Sequence, residues 1–133
     1  MKPDNTQETI YVGLDTGLPP YLPYPRFLLK MDISQTAKLL YALLLDRTTL
    51  SQRNGWQDDQ GRTFIVYAIV EMAEMLDKGQ TAIKAALNEL DAAGLLERKR
   101  VGFSAANRLY VKLPHRKPNN GSEWRATQTV WQI

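Results

Sequence analysis

The sequence predicts a mainly α fold that closes with a small β-hairpin (α+β), and three observations support this prediction. Two helical stretches, residues 69–76 and 80–93, are separated by only three residues, Asp77-Lys78-Gly79. A longer helix and a short β-prone run precede them. Two strand-like segments follow Gly94 and are joined by a turn at 101–107. Helices joined across such a short turn and followed by a hairpin are typical of the winged helix-turn-helix.

The first and longest predicted helix covers Gln35–Leu50 and begins after Ser34, a residue type that caps helix N-termini well. Its apolar side chains recur at three- and four-residue spacing, which indicates one face in the core. They are Ala37, Leu40, Tyr41, Leu43, Leu44 and Leu45. The β-prone run is Thr63–Tyr67, which follows a polar turn.

In the helix predicted at residues 80–93, apolar and polar side chains fall on opposite faces. The apolar set is Ile83, Ala86, Leu87, Leu90 and Ala93. Gly94 follows as a C-terminal cap. On the other face, Thr81, Lys84 and Asn88 lie one turn apart on one ridge. The acids Glu89 and Asp91 come later in the helix, and we expect them to face away from this ridge or to lie at its rim.

The predicted hairpin, residues 95–114, is the basic part of the chain. Its strands are predicted at 95–100 and 108–113, with Arg98 and Arg100 on one face and Lys99 on the other. Residues 95–133 carry eight basic and two acidic side chains, whereas residues 1–94 carry nine and twelve. This asymmetry predicts a polyanion-binding end.

Three segments are predicted along the chain. Residues 1–33 form an extended arm rich in proline and aromatic side chains, lying against the core, with a short helical turn or strand near Arg26–Lys30. Residues 34–114 form the winged-helix domain, and residues 115–133 form a polar C-terminal tail. The arm could instead join two copies of the chain, because apolar extended segments often pack on a partner.

The composition argues against several classes of function. The chain has no cysteine, and its lone histidine, His115, has no partners for a metal site or a catalytic pair. Asp58 and Asp59 lack the further ligands of a calcium loop and are interpreted as a polar turn. No apolar run is long enough to span a membrane, and the first residues carry no secretory signal. We therefore expect a cytoplasmic protein without catalytic residues, metal or cofactor.

The polar ridge and the basic hairpin together predict binding of double-stranded DNA. In a helix-turn-helix, the N-terminal residues of the second helix enter the major groove. Asn and Gln match the adenine edge, Lys suits guanine or phosphate, and the Thr methyl suits thymine. The predicted contacts are Lys78, Gln80, Thr81, Lys84, Asn88, Arg98, Lys99, Arg100, Ser104, Asn107 and Arg108. The alternatives are a solvated basic face, a protein-docking module and a relaxase-like tyrosine nucleophile, and no histidine cluster supports the last of these.

Several segments resemble the amino-terminal domain of the replication initiator protein A family of bacterial plasmids and conjugative elements. The strongest match is the stretch from Ala37 to Arg47 (AKLLYALLLDR), continuing through Leu50-Ser51 to Asn54-Gly55-Trp56. After these come Asp58, Gly61-Arg62 and the run to Tyr67. The segments Glu89–Arg100 and Asn107–Tyr110 also fit, so the similarity spans roughly residues 22–113.

The resemblance implies an initiator that binds repeated origin sequences as a homodimer and helps to recruit host replication proteins. Family members usually carry that recruitment function on a further C-terminal domain, so the resemblance implies that this chain is either a fragment of a longer protein or a short relative without that function. Gly79 replaces the usual serine-type cap, and Phe103–Ala106 replaces a more basic wing tip. A transcriptional regulator with the same fold remains an alternative.

Overall fold

The computed structural model describes residues 8–100 and 107–114. A short 3-10 helix, Arg26–Lys30, precedes the three α-helices and the hairpin. These elements are α1 (Gln35–Asn54), α2 (Ile69–Leu76), α3 (Gln80–Ala92), β1 (Leu96–Arg100) and β2 (Asn107–Val111). The order of helices and strands is the one that the sequence predicts, except that the β-prone run Thr63–Tyr67 forms only isolated bridges.

Each α-helix ends where a residue adopts the left-handed conformation. At the end of α3, Gly94 has φ 78°, its N–H donates to the Asp91 carbonyl, and the Leu95 N–H donates to the Leu90 carbonyl. This paired pattern satisfies carbonyls that a helix end otherwise leaves open. The prediction that α1 ends at Leu50 is wrong by four residues, because nothing breaks the helix before Gly55, where φ is 74°.

The start of α1 is attached to the C-terminal part of α3 through Ser34. The Ser34 hydroxyl accepts a hydrogen bond from the Ala37 N–H at 3.1 Å, so Ser34 caps α1 as predicted. The same hydroxyl donates to Glu89 Oε2 at 2.6 Å, and the Ser34 N–H donates to Glu89 Oε1 at 2.9 Å. These bonds hold the pKa of the Glu89 carboxyl below its usual range. Glu89 is therefore a structural residue that fixes α3 against α1.

One hydrophobic core joins all the elements. Leu40 and Leu44 of α1 and Ile83 and Leu90 of α3 are fully buried in it. The Tyr41 ring is also fully buried, and its hydroxyl donates to the Lys112 carbonyl at 2.8 Å. This bond ties α1 to the end of the hairpin, and burial raises the pKa of Tyr41 to about 12.

The sheet contains two full strands and a single bridge to the predicted third strand. β1 and β2 pair antiparallel, with Arg98 opposite Leu109. Ile65 and Leu109 exchange both backbone hydrogen bonds at 2.9 Å, and this is the only β-pairing of the predicted strand Thr63–Tyr67 with the hairpin in the described part of the chain. Thr63 forms an isolated bridge with Gln57 across the polar loop. Within the run Thr63–Tyr67, only Ile65 therefore pairs with the described part of the hairpin.

The N-terminal segment lies against the core over only part of its length. Leu28 is fully buried, and Leu22, Phe27, Met31 and Ile33 pack around it. The apolar side chains nearer the N-terminus are exposed and do not pack on the core. This corrects the expectation that the whole arm lies against the core. The exposed side chains are Ile10, Tyr11, Val12, Leu14, Leu18 and Tyr21, and Tyr11 is 98% exposed. Among the described residues, no helix is long and apolar enough to cross a membrane.

Replacement of Ser34 by alanine should lower the free energy of unfolding by about 1 kcal/mol, because it removes the cap of α1. It also removes one of the two bonds to Glu89. Denaturant unfolding measures the loss, with Gln35→Ala as the control at an exposed neighbouring position. Equal stability of the two variants would contradict the role given to Ser34.

Alkaline pH should destabilise the protein through Tyr41. Its pKa is about 12 in the folded protein against an ordinary value of 10.0, so between these values the unfolded chain loses a proton that the folded protein retains. Stability due to this group is therefore complete below pH 10.0 and is lost as the pH rises toward 12. Thermal melts of the wild type and Tyr41→Phe should converge over this range, and parallel curves would contradict the account.

Candidate nucleic-acid interface

The N-terminal turn of α3 presents an exposed surface with no acidic side chain. Gln80, Thr81 and Lys84 are exposed, and Lys78 is exposed in the turn before them. The N-cap, Gly79, supplies no side-chain hydrogen bond to the first turn. Backbone N–H groups at such a helix end point outward and favour an anion. The arrangement is suited to a ligand with negative charge and hydrogen-bonding edges.

The opposite face of α3 fixes this orientation. Ile83, Ala86, Leu87 and Leu90 are buried with at most 2% of their surface exposed. They lie in the core with residues of α1, α2 and the hairpin, and the ridge of Thr81, Lys84 and Asn88 faces solvent. Ala85 is exposed beside the ridge and has only a methyl group, which leaves room for close approach of a ligand.

The two faces of the hairpin carry different sets of basic residues. One face contains Leu96 and Leu109 in the core, followed outward by Arg98 and Arg100. The other face carries Lys99, which pairs in register with Arg108. Lys99 and Arg100 are exposed, and no described residue forms an ion pair with either of them.

Arg98 is bound to α3, unlike its neighbours on β1. Its Nη2 donates to Asn88 Oδ1 at 2.9 Å and to Asp91 Oδ2 at 3.1 Å, and its Nε donates to the same Asp91 oxygen at 3.3 Å. Asp91 was expected to face away or toward the rim, but it pairs with the wing. The ion pair offsets the charge of Arg98, so this arginine is less available to a ligand than its position on the strand suggests.

Arg108 lies over the ring of Phe64. Its guanidinium carbon is 4.1 Å from the centre of the Phe64 ring, and the Phe64 ring stacks on Trp56 at 6.4 Å. Contact of a guanidinium with a ring face is attractive and restricts the side chain. Arg108 is half-buried, so only part of its guanidinium faces solvent.

Asp58 organises the loop that carries these rings. Its carboxylate accepts hydrogen bonds from the backbone N–H groups of Gln60 and Arg62, from Arg62 Nε and from the Tyr110 hydroxyl. Those bonds hold the pKa of Asp58 far below its usual range. The side chain is only 5% exposed, so it acts as the centre of a turn. In the described part of the chain, no group of three or more His, Asp or Glu side chains could hold a metal ion.

The structure thus divides the predicted contact residues into several groups. Lys78, Gln80, Thr81 and Lys84 lie together at the start of α3, and Lys99 and Arg100 extend along the wing. Asn107 lies opposite Arg100 at the outer end of the hairpin. Asn88 and Arg98 are bonded to each other, and Arg108 contacts Phe64. Ser104 lies outside the described residues.

Sequence reasoning missed Asp91 and the Phe64 cluster. Asn88 and Asp91 are three residues apart on a helix, so their shared face was predictable. Their partner Arg98 was not, because that contact depends on the angle at which β1 leaves α3. The contact of Arg108 with Phe64 likewise joins residues far apart in the chain, and no local spacing predicts it.

Comparisons with known proteins agree with this geometry. The model of the family described as the N-terminus of replication initiator protein A (RepA) matches residues 21–123. A solved structure described as an MDR initiator is 28% identical, with a TM-score of 0.62 over 82% of this chain and 89% of that chain. No curated protein sequence matches the chain.

Two further solved structures share the fold at lower identity. One, described as the N-terminal domain of a DNA-binding protein, is 21% identical, with a TM-score of 0.67 over 95% of this chain and 98% of that chain. The other, described as a Rep–DNA complex, is 24% identical, with a TM-score of 0.65 over 86% and 89%. The family match spans most of the 133 residues and includes the segments whose resemblance the sequence showed. The chain therefore belongs to the family of replication initiator protein A N-terminal domains.

Proposed function

We propose that the chain binds repeated duplex sequences in the replication origin of a plasmid or other mobile element. The observation that supports this most directly is that the first turn of α3 is exposed and contains no acid, while Lys99 and Arg100 of β1 are also exposed. The proposed function is binding without catalysis or a cofactor, and it implies a protein of the bacterial cytoplasm. Recruitment of host replication proteins would belong to a further domain.

In this proposal, α3 enters the major groove with its N-terminal turn first. Thr81 and Lys84 face the base edges, and Gln80 lies at the helix start, where it can contact a base or a phosphate. Because the first turn contains no acid, the helix end attracts the phosphate backbone without opposing charge. Family membership favours an initiator over a transcriptional regulator with the same fold.

The hairpin contacts the phosphate backbone beside the groove. Lys99 and Arg100 are exposed on opposite faces of β1, and neither has an ion-pair partner among the described residues, so both are open to a phosphate oxygen. Phosphate contacts position a protein on DNA but carry no base information. The wing therefore contributes affinity and register, while α3 contributes sequence preference.

Footprinting on the replicon that encodes the chain tests the proposed function. Protection of tandem repeats is the expected result, and protection of a promoter would instead support a transcriptional regulator. If no duplex is protected at low salt, the chain is not a DNA-binding domain and a protein-docking role takes its place. Selection of bound sequences from a pool of random duplexes supplies the preferred site for the tests that follow.

Replacement of Arg100 by alanine should weaken binding to every duplex and flatten the dependence of log K on log salt by about 0.9, the contribution of one phosphate contact. Lys84→Ala should instead reduce discrimination by about 1–3 kcal/mol if Lys84 contacts a base. Fluorescence anisotropy on selected and random duplexes measures both quantities.

Arg53→Ala is the matched control for the loss of one charge. Arg53 is exposed in the last turn of α1 and is not among the residues predicted to contact DNA. The variant Arg53→Ala should leave the dependence of log K on log salt unchanged. A slope for Arg100→Ala equal to that of the wild type would show that Arg100 does not meet a phosphate.

We further propose that residues 10–21 of the arm pack on a second copy of the chain. This segment exposes Ile10, Tyr11 and Val12, which form a β-prone run. Leu22 is the first described residue along the chain that packs against the hydrophobic core. Contiguous exposed apolar side chains are characteristic of association surfaces. A dimer would also match the repeats of an origin, because two copies can contact two sites.

Removal of residues 1–20 should convert a dimer to a monomer, with binding to a single site retained. Sedimentation equilibrium measures the mass, and removal of residues 1–7 is the control because it leaves the apolar run in place. The double change Ile10→Glu and Val12→Glu should have the same effect as the longer deletion. Dimers that survive both changes would require another interface.

A further inference from the structure

We propose that Arg98 is a positioning residue that presents the Asn88 amide to DNA as a hydrogen-bond donor and thereby helps to set base preference. This inference rests on the proposed function of α3. It assigns Arg98 a role different from the phosphate contact that its place on a basic strand suggests. The residues involved are Asn88 and Asp91 on α3 and Arg98 on β1.

The three side chains form a bracket between the helix and the wing. Asn88 and Asp91 lie one turn apart on α3, and the Arg98 guanidinium reaches both, at 2.9 Å and 3.1 Å. Asp91 supplies the charge that holds the guanidinium in place. The side chain of Arg98 is 32% exposed, so the bracket lies at the surface beside the ridge of Thr81, Lys84 and Asn88.

Chemistry fixes the orientation of the Asn88 amide. A guanidinium carries only hydrogen-bond donors, so the atom that meets it is the amide oxygen, Oδ1. The other end of the amide, Nδ2, carries two donors, and no described residue accepts from it. Asn88 is exposed, so this donor end is available to a ligand.

The consequence concerns which base edge Asn88 recognises. Pairing of asparagine with adenine uses the amide oxygen and nitrogen together, because the adenine edge combines a donor with an acceptor. In this structure one of the two lone pairs of the oxygen already accepts from Arg98, whereas neither donor of Nδ2 has an acceptor among the described residues, so hydrogen-bond donation is the capacity that stays fully open. Asn88 should therefore favour acceptors in the major groove, such as purine N7, guanine O6 or thymine O4. This differs from the adenine contact expected from the sequence alone.

Replacement of Arg98 by lysine tests the bracket, because it keeps the charge but removes the planar fork that reaches both partners. Binding selections from random duplexes should show that Arg98→Lys and Asn88→Ala relax the preference at the same base pair. The affinity for the selected duplex should fall roughly 5- to 150-fold in each variant, the range for one base contact. The salt slope should stay at the wild-type value.

Arg53→Lys is the matched control, because Arg53 is exposed in the last turn of α1 and is not among the predicted contact residues. It should leave base preference intact. Asp91→Asn removes the charge that holds Arg98 and should relax the same base pair by an independent route. The double variant Arg98→Lys, Asn88→Ala should bind no more weakly than the weaker single variant, because both act on one contact.

Three results would overturn the proposal. Arg98→Lys could retain the full base preference, or Arg98→Ala could lower the salt slope by about 0.9, the value for a direct phosphate contact. Asp91→Asn could also tighten binding to all duplexes with unchanged preference, in which case Asp91 merely competes with DNA. Failure of the wild-type chain to bind any duplex is a separate result, which contradicts the proposed function itself.

Discussion

Burial of one face of α3 is the constraint on which the rest of the structure depends. Ile83, Ala86, Leu87 and Leu90 recur at helical spacing and are removed from water between α1 and the hairpin. Burial of each large apolar side chain stabilises the fold by roughly 1.5–3 kcal/mol. Because a helix has fixed periodicity, this burial leaves one orientation for the opposite ridge. The bonds from Ser34 to Glu89 add a directional constraint to the apolar packing.

The second theme of the structure is that only part of the positive charge is available to a ligand. Arg98 is balanced by Asp91, and Arg108 lies on the Phe64 ring. Lys84, Lys99 and Arg100 remain exposed and have no ion-pair partner among the described residues. The net charge of +3 therefore says less about binding than the position of each cation does. Internal contacts of basic side chains fix the geometry of the wing, and the exposed ones supply attraction for a polyanion.

Much of the fold follows from patterns that the sequence displays locally. The start of α1 at Ser34, the three-residue turn before α3 and the end of α3 at Gly94 depend on capping and turn chemistry within a few residues. The helix α1 continues past Leu50 because Ser51 and Asn54 are weaker helix formers that do not break a helix, and it ends only before Gly55. The polar ridge of Thr81, Lys84 and Asn88 was also predictable, because it lies on the face of α3 opposite the buried apolar residues.

The side-chain contacts of the candidate site were less predictable. The bond from Arg98 to Asn88 spans a helix, a turn and a strand, and its existence depends on how the hairpin packs on α3. The exposure of the apolar arm was unpredictable for the same reason. Composition indicates that Ile10 and Tyr11 favour burial, but residues 22–33 already cover the core, and this depends on tertiary packing.

The central claim is that α3 lies in the major groove of its target. The chain contains no cysteine, so Lys78→Cys can carry a single iron–EDTA probe in the turn directly before α3. Hydroxyl radicals from this probe should cleave deoxyriboses within the protected repeat, with the offset between the two strands that a source in the major groove produces, whereas a probe at Arg53→Cys should not cut there. Cleavage from position 53 together with none from position 78 would contradict the account.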